Sequence, residues 1–226
     1  MPPARLRSDE IYRKIKHRLA AGLVRFGDRI DVAALADQLG VSVTPVREAL
    51  ARLFDEQLVQ FEPAKGFSLK IQSAEELRKL YEWNMMLAEI GLSMHVAVQA
   101  GAIDTLPASK GAVPAAAGFA HSSKPPESDV ARALFLRIAA HASNANLLRA
   151  VENANDRLAF FHVIEPAVIA GCSAELTRLI DQYDAGRLVQ VRRSVIAYHR
   201  KRIKFVPELL KEALGRSLSG EPRQPS

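Results

Sequence analysis

The stretch VAALADQLGVSVTPVREALARL, residues 32–53, constrains the fold more than any other part of the chain. Apolar side chains recur at helical spacing on both sides of Gly40: Val32, Leu35, Ala36 and Leu39 before it, then Val46, Ala49, Leu50 and Leu53 after it. Asp31 stands where a side-chain oxygen accepts first-turn N–H groups, and Ser42 takes the same place before the second run. Pro45 falls in the first turn of that second helix, where a missing N–H costs nothing. Two helices joined by a tight glycine turn are a helix-turn-helix. Upstream, SDEIYRKIKHRLAAG reads as a helix capped by Ser8, with Ile11, Ile15 and Leu19 on one stripe and Gly22 at its end. Downstream, LVQFEPAKGFSLKI alternates, with Val59 and Phe61 before PAKG and Phe67, Leu69 and Ile71 after it. That pattern predicts a β-hairpin with Lys65 and Gly66 at its tip. A helix-turn-helix followed by such a hairpin is a winged helix, here spanning residues 1–72.

The helix beginning at Val43 has an unusual outer face. With Val46, Ala49, Leu50 and Leu53 inward, Val43, Thr44, Arg47 and Ala51 point the other way. Nothing bulky stands beside the arginine, so the helix can lie deep in a major groove of double-stranded DNA. Ser42, Thr44 and the N-terminal N–H groups can donate to phosphates, and Arg47 can pair with guanine O6 and N7 or clamp a phosphate. Arg52 is placed for the flank. Lys65 and Gly66 on the hairpin can approach a neighbouring minor groove, where glycine lets the backbone come close. The predicted DNA-facing set is thus Ser42, Val43, Thr44, Pro45, Arg47, Arg52, Lys65 and Gly66. A formal charge of +6 and a pI near 9.6 permit an anionic partner without proving one.

The remaining chain predicts a second domain, a mostly helical bundle over residues 73–216 that binds an effector and dimerises. A Gly-, Ala-, Pro- and Ser-rich stretch at residues 101–128 reads as an irregular loop or a degenerated helix, and residues 217–226 as a disordered tail. The fold class expected is therefore mostly α: an N-terminal winged helix-turn-helix plus a C-terminal all-α bundle. Cys172 is the sole cysteine, which excludes an internal disulfide and a thiolate zinc site. No apolar h-region opens the chain, and no uncharged apolar run is long enough to span a bilayer, so a cytoplasmic location is expected. The patterns GxSxG and HExxH, the P-loop and the Rossmann glycines are all missing, and Asp181, Asp184 and His199 have no accompanying nucleophile, so no enzyme activity is expected. Residues 187–204 carry seven Lys or Arg and no carboxylate, which reads first as a solvated face.

The residues LADQLGVSVTPVREALARLFDEQLV followed by PAKGFSLKI resemble the GntR family of bacterial transcription regulators. The resemblance implies a homodimer that binds a short inverted repeat, with repression altered by a small molecule. It places Ser42, Thr44 and Arg47 where the family contacts DNA and Gly66 where the wing enters the minor groove. Val43 stands where many members carry arginine; a valine can touch a thymine methyl instead.

The second region resembles the helical effector domain of the FadR-like branch, called FCD, through EELRKLYEWNMMLAEIGL, ALFLRIAAHASNANLLRAVENANDRL and ELTRLIDQYDAGRLVQVRRSVIAYH. Many members of that branch hold a divalent metal with an aspartate and three histidines. Here Arg132 takes the aspartate's place, Leu136 and Leu176 replace two histidines, and only His199 remains. One imidazole cannot hold a metal tightly, so the metal site is expected to be lost and no cofactor is expected. His141 and His162 fall on separate helices without a spaced carboxylate. The altered cavity is expected near Trp83, Asn84, Leu87, Leu136, Leu176 and His199, dried by the leucines and suited to a more apolar effector, or to none. Met85 and Met86 read as core filling. The competing reading is an architectural or constitutive DNA-binding protein without an effector.

Overall fold

A computed structural model describes residues 4–20, 27–102 and 127–218. The expected chain turn at residues 21–26, including Gly22, most of the stretch 101–128, and residues 219–226 lie outside the described residues. The described residues fall into two compact units, those up to 72 together with 211–218, and those from 73 to 210.

The first unit contains α1 (Ala4–Ala20), α2 (Val32–Leu39), α3 (Val43–Asp55), β1 (Val59–Glu62) and β2 (Gly66–Leu69). Helix α1 starts before Ser8, so Ser8 sits inside it and caps nothing. The Asp31 carboxylate accepts from the N–H groups of Ala33 and Ala34, both at 3.0 Å, and fixes the start of α2. Gly40 ends α2 at φ 65°, a left-handed geometry that a Cβ would strain. Its N–H and that of Val41 return to the carbonyls of Asp37 and Ala36 and close the turn. Ile11, Ile15, Leu19, Val46, Leu50, Leu53, Val59 and Leu69 form one buried cluster, the expected stripes among them. In the hairpin, Val59 pairs with Leu69, Phe61 with Phe67 and Glu62 with Gly66. The phenyl rings of Phe61 and Phe67 lie 4.9 Å apart, while Ile71 falls beyond the strand and is exposed. Sequence alternation gave no sign of the third edge: the Ile30 N–H donates to Phe67 O at 2.8 Å, and Arg29 bridges Ser68.

The second unit is built from α4 (Ala74–Gln99), α5 (Glu127–Ala140), α6 (Ala145–Val168), α7 (Cys172–Asp184) and α8 (Leu188–Lys204); α9 (Val206–Leu218) crosses the boundary between the units. Ser217 and Leu218 therefore belong to a helix, not to the expected tail. A capping box starts α4: Ser73 Oγ accepts from the Glu76 N–H, and the Glu76 carboxylate accepts from the Ser73 N–H. Asn144 caps α6 through the N–H groups of Asn146 and Leu147. Helix α4 packs on α5, α6 and α8, and its inner face carries Leu77, Leu80, Tyr81, Asn84, Leu87, Ala88 and Gly91. A Cβ on Gly91 would lie 3.0 Å from Ile138 Cγ2, so glycine allows α4 and α5 to approach closely. Among the described residues, no single helix is long and apolar enough to cross a membrane.

Candidate nucleic-acid interface and the polar centre of the bundle

Helix α3 presents the face read from the sequence. Ser42, Val43, Thr44, Arg47 and Ala51 are exposed, Pro45 is half-buried, and Val46, Ala49, Leu50 and Leu53 are buried. Ser42 occupies the N-cap with extended backbone, but its hydroxyl makes no cap hydrogen bond. The serine is thus at the expected position without the expected bond, and its hydroxyl keeps its capacity for another acceptor. Among the described residues Arg47 has no carboxylate or hydrogen-bond partner; Glu48 beside it is also exposed.

Arg52 differs from this. Its guanidinium lies 2.6 Å from Asp9 Oδ1 and 3.9 Å over the Tyr12 ring, so it ties α3 to α1 while its side chain stays half exposed. In the wing, Lys65 lies in the turn and its ammonium pairs with Glu62 at 2.9 Å. Gly66 is not at the tip but opens β2, opposite Glu62, with φ +81°. Arg29 Nε lies 3.8 Å from where a Cβ on Gly66 would sit, which places an exposed cation beside the wing. Arg29 was missed in the sequence because it belongs to no regular pattern; the third sheet edge positions it.

The bundle interior departs further from expectation. Trp83 is 44% exposed, because it falls outside the inner stripe of α4, and Met86 is exposed for the same reason. Leu136 is only half-buried. Asn84, Leu87, Leu176 and His199 are buried. The centre is not dried by leucines: Tyr81, Asn84, His162, Glu165, Tyr198, His199 and Arg202 are all buried. Arg202, part of the run read as a solvated face, is 1% exposed. Its Nε and Nη2 lie 2.9 Å from Glu165 Oε2, its Nη1 donates to Glu175 at 2.9 Å, and its guanidinium stacks 3.2 Å over Tyr198. Glu165 Oε1 also accepts from Tyr81 OH at 3.1 Å and from His162 Nδ1 at 2.7 Å. His162 therefore does have a spaced carboxylate, three residues on, and that spacing within an apolar helix was the signal overlooked. His141 is exposed and takes a hydrogen bond with Tyr183 OH at 2.7 Å.

The residues at the resemblance's metal positions do not fit a metal. Arg132 is paired with Asp156, Leu136 and Leu176 offer no donor atom, and the described residues hold no group of three or more His, Cys, Asp or Glu ready for one.

This burial makes the fold acid-sensitive. Burial, with Arg202 and His162 nearby, pushes His199 down to about 3, so the folded ring stays neutral where the unfolded one takes a proton. A depressed folded pKa gives stability that is complete above the unfolded value near 6.5 and falls as pH drops towards 3. Burial alone would raise Glu165, but His162 and Arg202 hold it at about 2, which adds a second loss between about 4.5 and 2. We expect about 2 kcal/mol to be lost between pH 7 and pH 5 from His199 alone. Urea midpoints at the two pH values measure this loss, and His199→Phe should flatten it.

Comparison with known proteins agrees with the first unit. Residues 7–69 match the profile of "Bacterial regulatory proteins, gntR family". The chain is similar to the HTH-type transcriptional regulator McbR of Escherichia coli K12, 36% identical over 87 residues, which are 37% of this chain and 39% of that protein. It is also similar to the Nta operon transcriptional regulator of Aminobacter aminovorans, 43% identical over 65 residues, which are 29% of this chain and 31% of that protein. The matches span 31–44% of the length of these curated relatives. Among solved structures, E. coli McbR/YncC aligns over 89% of this chain and 97% of its own, with a TM-score of 0.59 at 18% identity. A putative transcriptional regulator GntR from Rhodococcus sp. RHA1 aligns over 92% and 98%, with a TM-score of 0.57 at 17% identity. These two carry the fold through the helical region as well: mostly α, a winged helix-turn-helix followed by a bundle. The family match lies within the winged helix-turn-helix unit, α1 to β2, and the likeness to these two structures extends the fold over the helices that follow.

Proposed function

We propose that this chain is a sequence-specific, DNA-binding transcription regulator, a repressor, whose homodimer binds an inverted-repeat operator and responds to a small-molecule effector held in an FCD-type bundle. The observation that carries the reading is the outer face of α3, where Arg47 stands exposed among Val43, Thr44 and Ala51 in the first turns of the helix. Ser42 and Thr44 serve phosphates at the helix start, Val43 and Pro45 keep the approach close, and Arg47 reads a guanine. Gly66, with Lys65 and Arg29 beside it, serves the minor groove; Arg52 holds α1 in place. The homodimer reading draws on α4, which exposes Trp83, Met86 and Ile90 opposite its buried face, an arrangement that fits a helix covered on both sides. No metal takes part, since three of the four resemblance positions supply no ligand. A cytoplasmic location follows from a chromosomal target.

The test is an anisotropy titration with an operator selected from random duplexes. Binding by the parent should weaken steeply with salt as phosphate contacts release counterions. Arg47→Ala should cost about 1–3 kcal/mol, or roughly 5- to 150-fold, and relax the choice of one base pair per half-site. A variant that held the operator as tightly and as selectively as the parent would reject the assignment.

A further inference from the structure

We propose that the centre of the helical unit binds an uncharged small molecule that both donates and accepts hydrogen bonds, a polyol or carboxamide and not a carboxylate or a metal ion. This rests on the effector reading above and narrows it to a ligand class.

Four side chains end there in polar atoms without a partner among the described residues: Asn84 Oδ1 and Nδ2, His162 Nε2, Tyr198 OH and His199 Nε2. Each of these residues is 2% exposed or less. They come from three helices, α4, α6 and α8, of which α4 packs on both others. Contacts join three of them, His162, Tyr198 and His199, around Glu165 and Arg202, with Asn84 on the adjoining face of α4. Asn84 lies one turn along α4 from Tyr81, whose hydroxyl meets Glu165. His162 meets the same carboxylate, and the Tyr198 and His199 rings lie 5.1 Å apart. Buried polar groups are nearly always hydrogen-bonded, because water's bonds are lost on burial. Five such atoms on helices that pack against one another are a set that a ligand's donors and acceptors would complement.

Their chemistry selects the ligand. His199 Nδ1 donates to Val195 O at 2.8 Å, so its Nε2 carries a lone pair and accepts. Burial keeps the Tyr198 phenol protonated, so it donates. The Asn84 amide does both. The charges are already matched to one another: all three guanidinium nitrogens of Arg202 meet carboxylate oxygens, from Glu165 and Glu175. An incoming carboxylate would find Arg202 committed and would face Glu165 at low dielectric. A metal ion would find two imidazoles and a carboxylate already committed to Arg202, Tyr81 and His162, and among the described residues no group of three His, Cys, Asp or Glu is placed to hold one.

The experiment uses the full chain with matched probes: glycolamide and glycolate, succinamide and succinate, xylitol and xylonate, and Zn²⁺ alone. An uncharged probe should raise the melting temperature by about 3 °C or more at about 10 mM. Calorimetric affinity for it should fall at least about tenfold in Asn84→Leu and in His199→Phe. Both variants should melt at or above the parent at pH 7, since an apolar group of similar size replaces an unpartnered polar one. Binding of a carboxylate or of Zn²⁺ without binding of its uncharged counterparts overturns the proposal, and so does a panel with no binder. Melting of both variants well below the parent also overturns it, because the polar atoms would then be holding the fold through ordered water. Operator titration separates the two readings. A carboxylate that shifts operator affinity leaves the effector reading standing and removes the ligand class. An uncharged probe that binds without changing operator affinity does the reverse.

Discussion

Arg202→Met is expected to lower the stability of the helical unit by about 3–5 kcal/mol, the usual cost of leaving one partner of a buried ion pair alone. The side chain is 1% exposed and its main partner, Glu165, is 2% exposed. Methionine replaces the stem but not the three charge-assisted contacts to Glu165 and Glu175, nor the stacking over Tyr198. Glu165 would keep only Tyr81 and His162, too little to solvate a carboxylate at low dielectric. Urea denaturation at pH 7 measures the loss. Combining Arg202→Met with Glu165→Gln should recover much of it, since the uncompensated charge and not the missing guanidinium is the expensive part. A single-variant loss below about 1 kcal/mol would mean that water reaches the pair and screens it.

Leu50→Ala should destabilise the winged helix by about 2–5 kcal/mol. Leu50 is fully buried in the cluster that joins α1 and α3 to the hairpin. The truncation loses its transfer free energy and leaves a cavity that neighbours locked by helix geometry cannot fill. Small domains are commonly stable by only about 5 kcal/mol, so such a loss is expected to populate the unfolded form. Amide exchange along α3 should quicken by at least about thirtyfold, and operator affinity should fall with the folded fraction. Unchanged exchange in α3 would show that the cluster can close over the missing atoms.

These two residues mark where the sequence could and could not be read. Leu50 was legible because burial on one face of a helix imposes a 3.6-residue period that a short window displays. The same holds for Asp31 and Gly40, whose backbone roles are local, and for the alternation of Val59, Phe61, Phe67 and Leu69. Arg202 was not legible, because within its run of cations nothing distinguishes the one whose partners lie 27 and 37 residues away. The partners of Arg52 were likewise hidden: nothing in its place on α3 announces Asp9 and Tyr12 on α1.

What the sequence determined by itself was each feature set by neighbours within a few residues: the helix-turn-helix, its capped first helix, the slim outer face of α3, the hairpin and the helical character of the rest. Only the tertiary structure decided the contents of the bundle's centre, the exposure of Trp83 and Met86, and the third edge that sets Arg29 beside the wing. The physical reason is one of range. Periodicity records which side of a helix is inward, whereas a buried imidazole, carboxylate or guanidinium is tolerated only if distant segments supply its partners, and those partners are chosen by packing.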